Sequence, residues 1–232
     1  MMPNSPQHNF PTAHAANKSI EVLYADASLL VLNKPTGLLA VPGRGEDKQD
    51  CLSARVQAHY PDALIVHRLD MATSGLMLMA RGIDMQRTLG KAFESREVHK
   101  RYVAVVNGCL QLPTDAIDGW ATIDLPIIVD WPNRPLRIID PARGQPSLTR
   151  WQVLPEGAQA GTTRLLLEPV TGRSHQLRVH LQALGHPILG DALYADTAVQ
   201  ARADRLLLHA SALRLPHPVT GEPMQFERAL PF

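Results

Sequence analysis

The stretch Gly75-Leu76-Met77-Leu78-Met79-Ala80 carries no polar side chain and is too short for a helix that crosses a core. It reads as a strand buried on both faces, and such a strand needs a sheet covered on both sides. Shorter apolar runs at Glu21–Tyr24 and Leu29–Leu32 are separated by the turn formers Asp26 and Ser28, and Asn33-Lys34-Pro35-Thr36-Gly37 ends the second. Arg101–Val106 reads as a further strand, ended by Asn107-Gly108, with others around Trp120–Leu125, Ser147–Leu154 and Arg164–Pro169. These strands do not alternate strictly with helices. An α+β domain on a mostly antiparallel or mixed sheet is therefore expected, rather than a doubly wound parallel one.

Helical spacing occurs in three places. Leu52, Val56 and Tyr60 predict a modest helix closed by Pro61, and Met85, Leu89 and Phe93, spaced by four, predict one over residues 84–96. After Thr171-Gly172-Arg173, Ser174 is expected to cap a helix whose stripe is Leu177, Leu181 and Leu184, with Gly185 as its stop. Arg173 would then stand at a strand end just before a helix N-terminus, where it could favour an anion.

Residues 1–18 are polar, contain proline and show no period, and read as a flexible tail on a single domain of residues 19–232. With 45% hydrophobic residues the chain can bury a core, and its two cysteines, Cys51 and Cys109, suggest neither a disulfide framework nor a zinc cluster. No apolar run has the length of a signal peptide core or a membrane span, so a reducing cytoplasm is the expected location. A formal charge of +1 says little about partners, but Arg87, Lys91, Arg96, Lys100 and Arg101 crowd one stretch and could form a phosphate-binding face. His175 and His180 lie off the spacing that places two metal ligands on one helical face, and no metal is expected.

The polar loop His67-Arg68-Leu69-Asp70-Met71-Ala72-Thr73-Ser74 directly precedes the buried strand and puts Asp70 at a strand end. Taken alone, such an acid is ordinarily a turn or capping residue. Continued through Gly75-Leu76, however, the loop resembles the H-R-L-D-x-x-T-S-G-L signature of the RluA family of pseudouridine synthases. Leu32–Leu38, Lys100-Arg101-Tyr102, Thr171–His180 and Leu207-Leu208-His209-Ala210 resemble the same family in the same order. Val41–Arg44, Asp130–Pro135 and Gly185–Asp191 are similar to its short, dual-specificity members, which implies no S4-like domain before the core.

The resemblance implies a pseudouridine synthase fold with a central RNA-binding cleft. The substrate would be a uridine in structured RNA, in stem-loops of tRNA and of 23S-type large-subunit rRNA, with no DNA or membrane partner and a monomeric enzyme. Pseudouridine forms when the C1′–N1 bond breaks, the base turns and C1′ joins C5, without net redox change or external nucleophile, so no cofactor is implied. A carboxylate serves either as nucleophile at C1′ or as base at C2′. The family's catalytic aspartate matches Asp70, and the arginine that pairs with it is expected to be Arg173. Tyr102 matches a tyrosine that stacks on uracil and relays the C5 proton. His67 and Arg68 would fill the gap left by the extruded uridine, and Leu69 and Leu177 would line the base pocket. Two other functions compete: a non-catalytic RNA-binding assembly factor, and a nucleoside glycosidase, which would need two carboxylates where the signature around Asp70 holds one.

Overall fold

The structure is a computed structural model and describes residues 20–156 and 159–232, so the tail expected at residues 1–18 lies outside the described residues. Strands β1 (Glu21–Ala25) and β2 (Leu29–Lys34) form a hairpin turned by Asp26, whose carboxylate accepts the N–H groups of Ser28 and Leu29 at 2.7 and 2.8 Å. Helix α1 (Leu52–Gln57), strand β3 (Ala63–Ile65), strand β4 (Ser74–Arg81) and helix α2 (Ile83–Glu94) complete the first part of the chain. Strands β5 (His99–Asn107), β6 (Ala121–Asp124), β7 (Ile127–Val129), β8 (Arg137–Ile139), β9 (Leu148–Leu154) and β10 (Thr162–Pro169) lead into helix α3 (Gln176–Ala183). The short helix α4 (Thr197–Gln200) precedes β11 (Leu208–Pro216) and β12 (Pro223–Glu227).

Ten of these strands form one sheet in the order β1-β2-β4-β11-β5-β10-β9-β6, with β3 beside β4 and β12 beside β11, while β7 and β8 make a separate ribbon. The expected mixed, mostly antiparallel α+β sheet is what forms. As expected of its composition, β4 is buried on both faces: Met77 and Met79 join one core cluster and Leu76, Leu78 and Ala80 the other. Each such Leu or Met contributes about 1.5–3 kcal/mol by leaving water.

The two halves of the sheet meet where β4 and β11 pair in parallel, through Ser74–His209 and Gly75–Ala210 alone. Beyond that point the strands part, and β3 and β12 take up their exposed edges. Gly75 sits at φ +112, and a Cβ on it would lie 2.3 Å from the Ala210 carbonyl oxygen. Arg205 and His209 both hydrogen bond to the Ser74 hydroxyl, at 2.5 and 2.8 Å, and tie the same seam from the side. Gly75→Ala combines a left-handed backbone with a backbone overlap, and is expected to cost more than about 3 kcal/mol in a urea unfolding titration. A loss below about 1 kcal/mol would show that the seam tolerates a side chain.

Candidate active site

Asp70 lies in the loop between β3 and β4, and the turn after β2 holds that loop from below. Lys34 is fully buried and donates through Nζ to the carbonyls of Pro35, Leu38 and Met71 at 2.9, 2.7 and 3.1 Å. The Thr36 hydroxyl donates to the Ala72 carbonyl at 2.7 Å, and the Gly37 N–H to that of Met71 at 2.9 Å. Both backbone neighbours that follow Asp70 are thereby fixed, which is a physical reason for the Lys-Pro-Thr-Gly order. Burial pushes the Lys34 ammonium down to about 7, against the pull of the Asp70 charge and with help from Arg205.

A cleft of about 550 Å³ opens above Asp70, walled by its own loop, by the α2–β5 connection and by the β10–α3 turn. On its floor Arg178 of α3 reaches Asp70, with Nη1 donating to Oδ2 at 3.3 Å. The same guanidinium grips Asp191 through Nε and Nη2 at 2.8 and 2.7 Å, and Asp191 also accepts the N–H groups of Leu193 and Tyr194. Asp191 is 0% exposed, so its charge is committed to Arg178 and holds it in place. Burial works against the charge on Arg178, yet the Asp191 hydrogen bonds and the two carboxylates raise its pKa above the usual arginine value.

Arg178 therefore makes the pairing expected of Arg173. Arg173 lines the cleft, but its Nε donates to the Pro146 carbonyl at 3.3 Å, away from Asp70. The difference follows from the start of α3. Its N-cap is His175, in the left-handed conformation, rather than Ser174, and the Gln176 side chain folds back to accept the Arg173 N–H at 3.0 Å and the Thr171 hydroxyl at 2.8 Å. Arg173 is left outside the helix and Arg178 inside it, on the buried face.

Tyr102 of β5 is buried on the cleft wall, with Leu69 and Leu177 beside it in the same core cluster. Burial and the Asp70 charge both push its hydroxyl pKa up, so it remains a neutral phenol. Arg68 spans the mouth, its Nη2 3.4 Å from the Ser174 hydroxyl. His67 lines the cleft beside it. Its Nε2 accepts the Leu78 N–H at 2.9 Å, in the gap where β11 has left β4, and its ring packs on Phe93 with centroids 4.7 Å apart. These contacts hold the His67 ring at the sheet edge, on the wall of the same cleft.

The basic stretch divides in the same way. Arg87 pairs with Asp84 and Arg101 with Glu168 outside the cleft, whereas Arg96 and Lys100 line it. Lys100 Nζ stands over the Phe93 ring at 5.6 Å, and burial lowers its pKa.

Residues 28–183 match the family model described as RNA pseudouridylate synthase. The chain is 47% identical over 211 residues to the dual-specificity RNA pseudouridine synthase RluA of Escherichia coli (strain K12), covering 91% of this chain and 93% of that protein. It is 48% identical over 206 residues to the protein of the same name from Yersinia pestis, covering 89% and 97%. The chain belongs to the RluA family of pseudouridine synthases. Its activity is the conversion of uridine to pseudouridine in RNA. Among solved structures, human RNA pseudouridylate synthase domain containing 1 superposes on the synthase with a TM-score of 0.75 at 30% identity, over 95% of this chain and 87% of that one. A second acid does stand close to Asp70 in the synthase, but Asp191 is sealed behind Arg178 and is not free for the paired-carboxylate work of a glycosidase.

His67 of the synthase gives a pH test. To accept the Leu78 N–H, Nε2 must be unprotonated, and burial with the nearby Lys100 charge pushes the imidazole from 6.5 to about 3. The unfolded chain binds the proton first, so stability contributed by neutral His67 is present above pH 6.5 and lost as the pH falls towards 3. His67→Gln keeps an acceptor for the N–H without the titration, and should flatten the stability profile over that window by up to about 1.4 kcal/mol per pH unit. Parallel profiles for the variant and the wild type in urea titrations at stepped pH would refute this.

Proposed function

We propose that Asp70 is the reacting carboxylate of this synthase, with Arg178 as the arginine that orients it. The observation that carries this reading is the Asp70–Arg178–Asp191 chain on the floor of the cleft, where a buried acid fixes an arginine and the arginine fixes the Asp70 carboxylate, which faces the opening. Arg178 supplies a counter-charge at Oδ2 and sets the carboxylate plane, so that the sugar of an entering uridine meets Asp70 in one orientation. During the reaction C1′–N1 breaks, C1′–C5 forms, the C5 proton leaves and N1 gains one. Tyr102 stacks on the uracil, and because its hydroxyl is held protonated it passes a proton on only by giving up its own at the same time.

The rim of the cleft suits RNA. Arg68, Arg96, Lys100 and Arg173 reach its walls, with Glu94 the acid among the rim residues, so phosphate contacts offset the near-neutral total charge. Arg68 is held by one long hydrogen bond and is free to swing into the space left by the extruded base. Trp131, 65% exposed and packed against Arg134 at 4.7 Å, offers a stacking surface for a splayed base on the loop between β7 and β8. The substrates we infer are stem-loops of tRNA and large-subunit rRNA, read by shape and a few bases. The synthase would act as a monomer in the cytoplasm, where Cys51 and Cys109 remain reduced.

Carbodiimide adduct mapping of tRNA and rRNA from cells lacking the activity tests this reading. New adducts are expected with the wild type and none with Asp70→Asn. Arg178→Met should lower turnover by about a hundredfold or more, whereas Arg173→Met should chiefly weaken RNA binding and change turnover less than about tenfold. An active Asp70→Asn variant, or the reverse order of the two arginines, would overturn the assignment.

A further inference from the structure

Beside Asp70 stands a histidine outside the Asp70–Arg178–Asp191 chain. His175 Nε2 is 3.9 Å from Asp70 Oδ1, on the opposite side of the carboxylate from Arg178, which holds Oδ2. The two oxygens thus face two different donors carried by the same helix. The backbone of His175 is left-handed, at φ 59, and its side chain makes no capping bond to α3. A position that glycine or asparagine would fill more easily holds a bulky imidazole turned towards the acid, and strained backbone of this kind gathers where a side chain must be aimed.

The hydrogen bonds around the ring fix which nitrogen carries the proton. Tyr194 is buried, and its hydroxyl oxygen accepts the Arg137 N–H at 3.0 Å. The hydroxyl hydrogen needs an acceptor, and among the described residues His175 Nδ1 is the one present, at 2.6 Å. Nδ1 therefore accepts, and the ring proton sits on Nε2, facing Asp70. A ring that accepts at Nδ1 is the neutral one, and burial lowers its pKa, opposed by Asp70 and Asp191 and assisted by Arg178 and Arg137. Arg178 also lies across the Tyr194 ring at 5.0 Å, so tyrosine, histidine and arginine form one packed unit.

We propose that His175 is a positioning residue for pseudouridine formation, a neutral Nε2–H donor set by Tyr194 that closes onto Asp70 Oδ1 when the uridine fills the cleft. At 3.9 Å the contact is about 1 Å longer than a hydrogen bond, and contacts of this kind tighten when the substrate is bound. With both donors engaged the carboxylate cannot rotate, and its remaining lone pairs point into the cleft. The inference rests on Asp70 as the reacting carboxylate.

The test uses the full chain and the RNA in which adducts are mapped, labelled at uracil C5 with tritium, in single turnover. His175→Ala is expected to slow tritium release by about tenfold to a hundredfold with RNA affinity within about twofold of wild type. His175→Gln places an amide N–H near the Nε2 position and should recover most of the rate, to within about fivefold. Nitrogen-15 spectra of the free protein should show Nε2 protonated and Nδ1 bare, with Tyr194→Phe mixing the two tautomers. Wild-type rates in His175→Ala, a His175→Gln variant as slow as the alanine at equal melting temperature, or a ring protonated at Nδ1 would each overturn the proposal. An active Asp70→Asn variant would remove the reading beneath it without altering the tautomer result, so the two failures are distinguishable.

Discussion

Everything in the molecule depends on a backbone contact with no side chain in it. Gly75 and Ala210 approach so closely at the parallel junction of β4 and β11 that no Cβ fits on Gly75, and that pair with its neighbour Ser74–His209 joins two otherwise antiparallel half-sheets. Asp70 enters the cleft from the half that holds β4, while Tyr102 comes from β5, and His175 and Arg178 from the helix after β10, in the other half. The chemistry is therefore assembled across the seam. Parting of the strands beyond the seam opens the cleft, and His67 and Ser74 satisfy the polar groups exposed there.

The anchoring of the acid is built in two tiers. Below, Lys34, Thr36 and Gly37 fix the carbonyls of Met71 and Ala72, and above, Arg178 fixes the carboxylate itself. Neither tier is a surface ion pair of the kind that solvent screens to little effect. Asp191 at 0% exposure and Lys34 at 0% exposure are buried charges, each with a full set of partners, and removal of one partner would leave the other stranded.

Much of this was legible in the sequence, and the misses share a physical cause. The doubly buried β4 followed from its unbroken apolar run, and α2 and β5 followed from clean periods. Strand β11 does not stand out in the sequence although it lies mid-sheet: Leu208-His209-Ala210-Ser211-Ala212 has weak strand formers, and its register slips between Ala210 and Ala212. The loop acid stands out by its motif, but the arginine that the resemblance matches to Arg173 is Arg178, five positions on and inside the helix rather than before it. A signal for Arg178 was present: it follows Leu177 and precedes Leu181, and an arginine on the apolar side of a short helix needs a buried carboxylate to hold it. What no local pattern could supply was the partner, since Asp191 meets it only through the tertiary fold.

The place of β11 in the chain bears on synthesis. It is the last strand but one in sequence order and a central one in the sheet, so a nascent chain that has emerged through α3 has Asp70, Tyr102, His175 and Arg178 but nothing to bring its two halves into register. Long-range pairing of this kind forms late and slowly. The enzyme therefore has no working half-built form: its cleft comes into being when nearly the whole chain is available, and a ribosome-bound fragment carrying all four of those side chains would be catalytically silent.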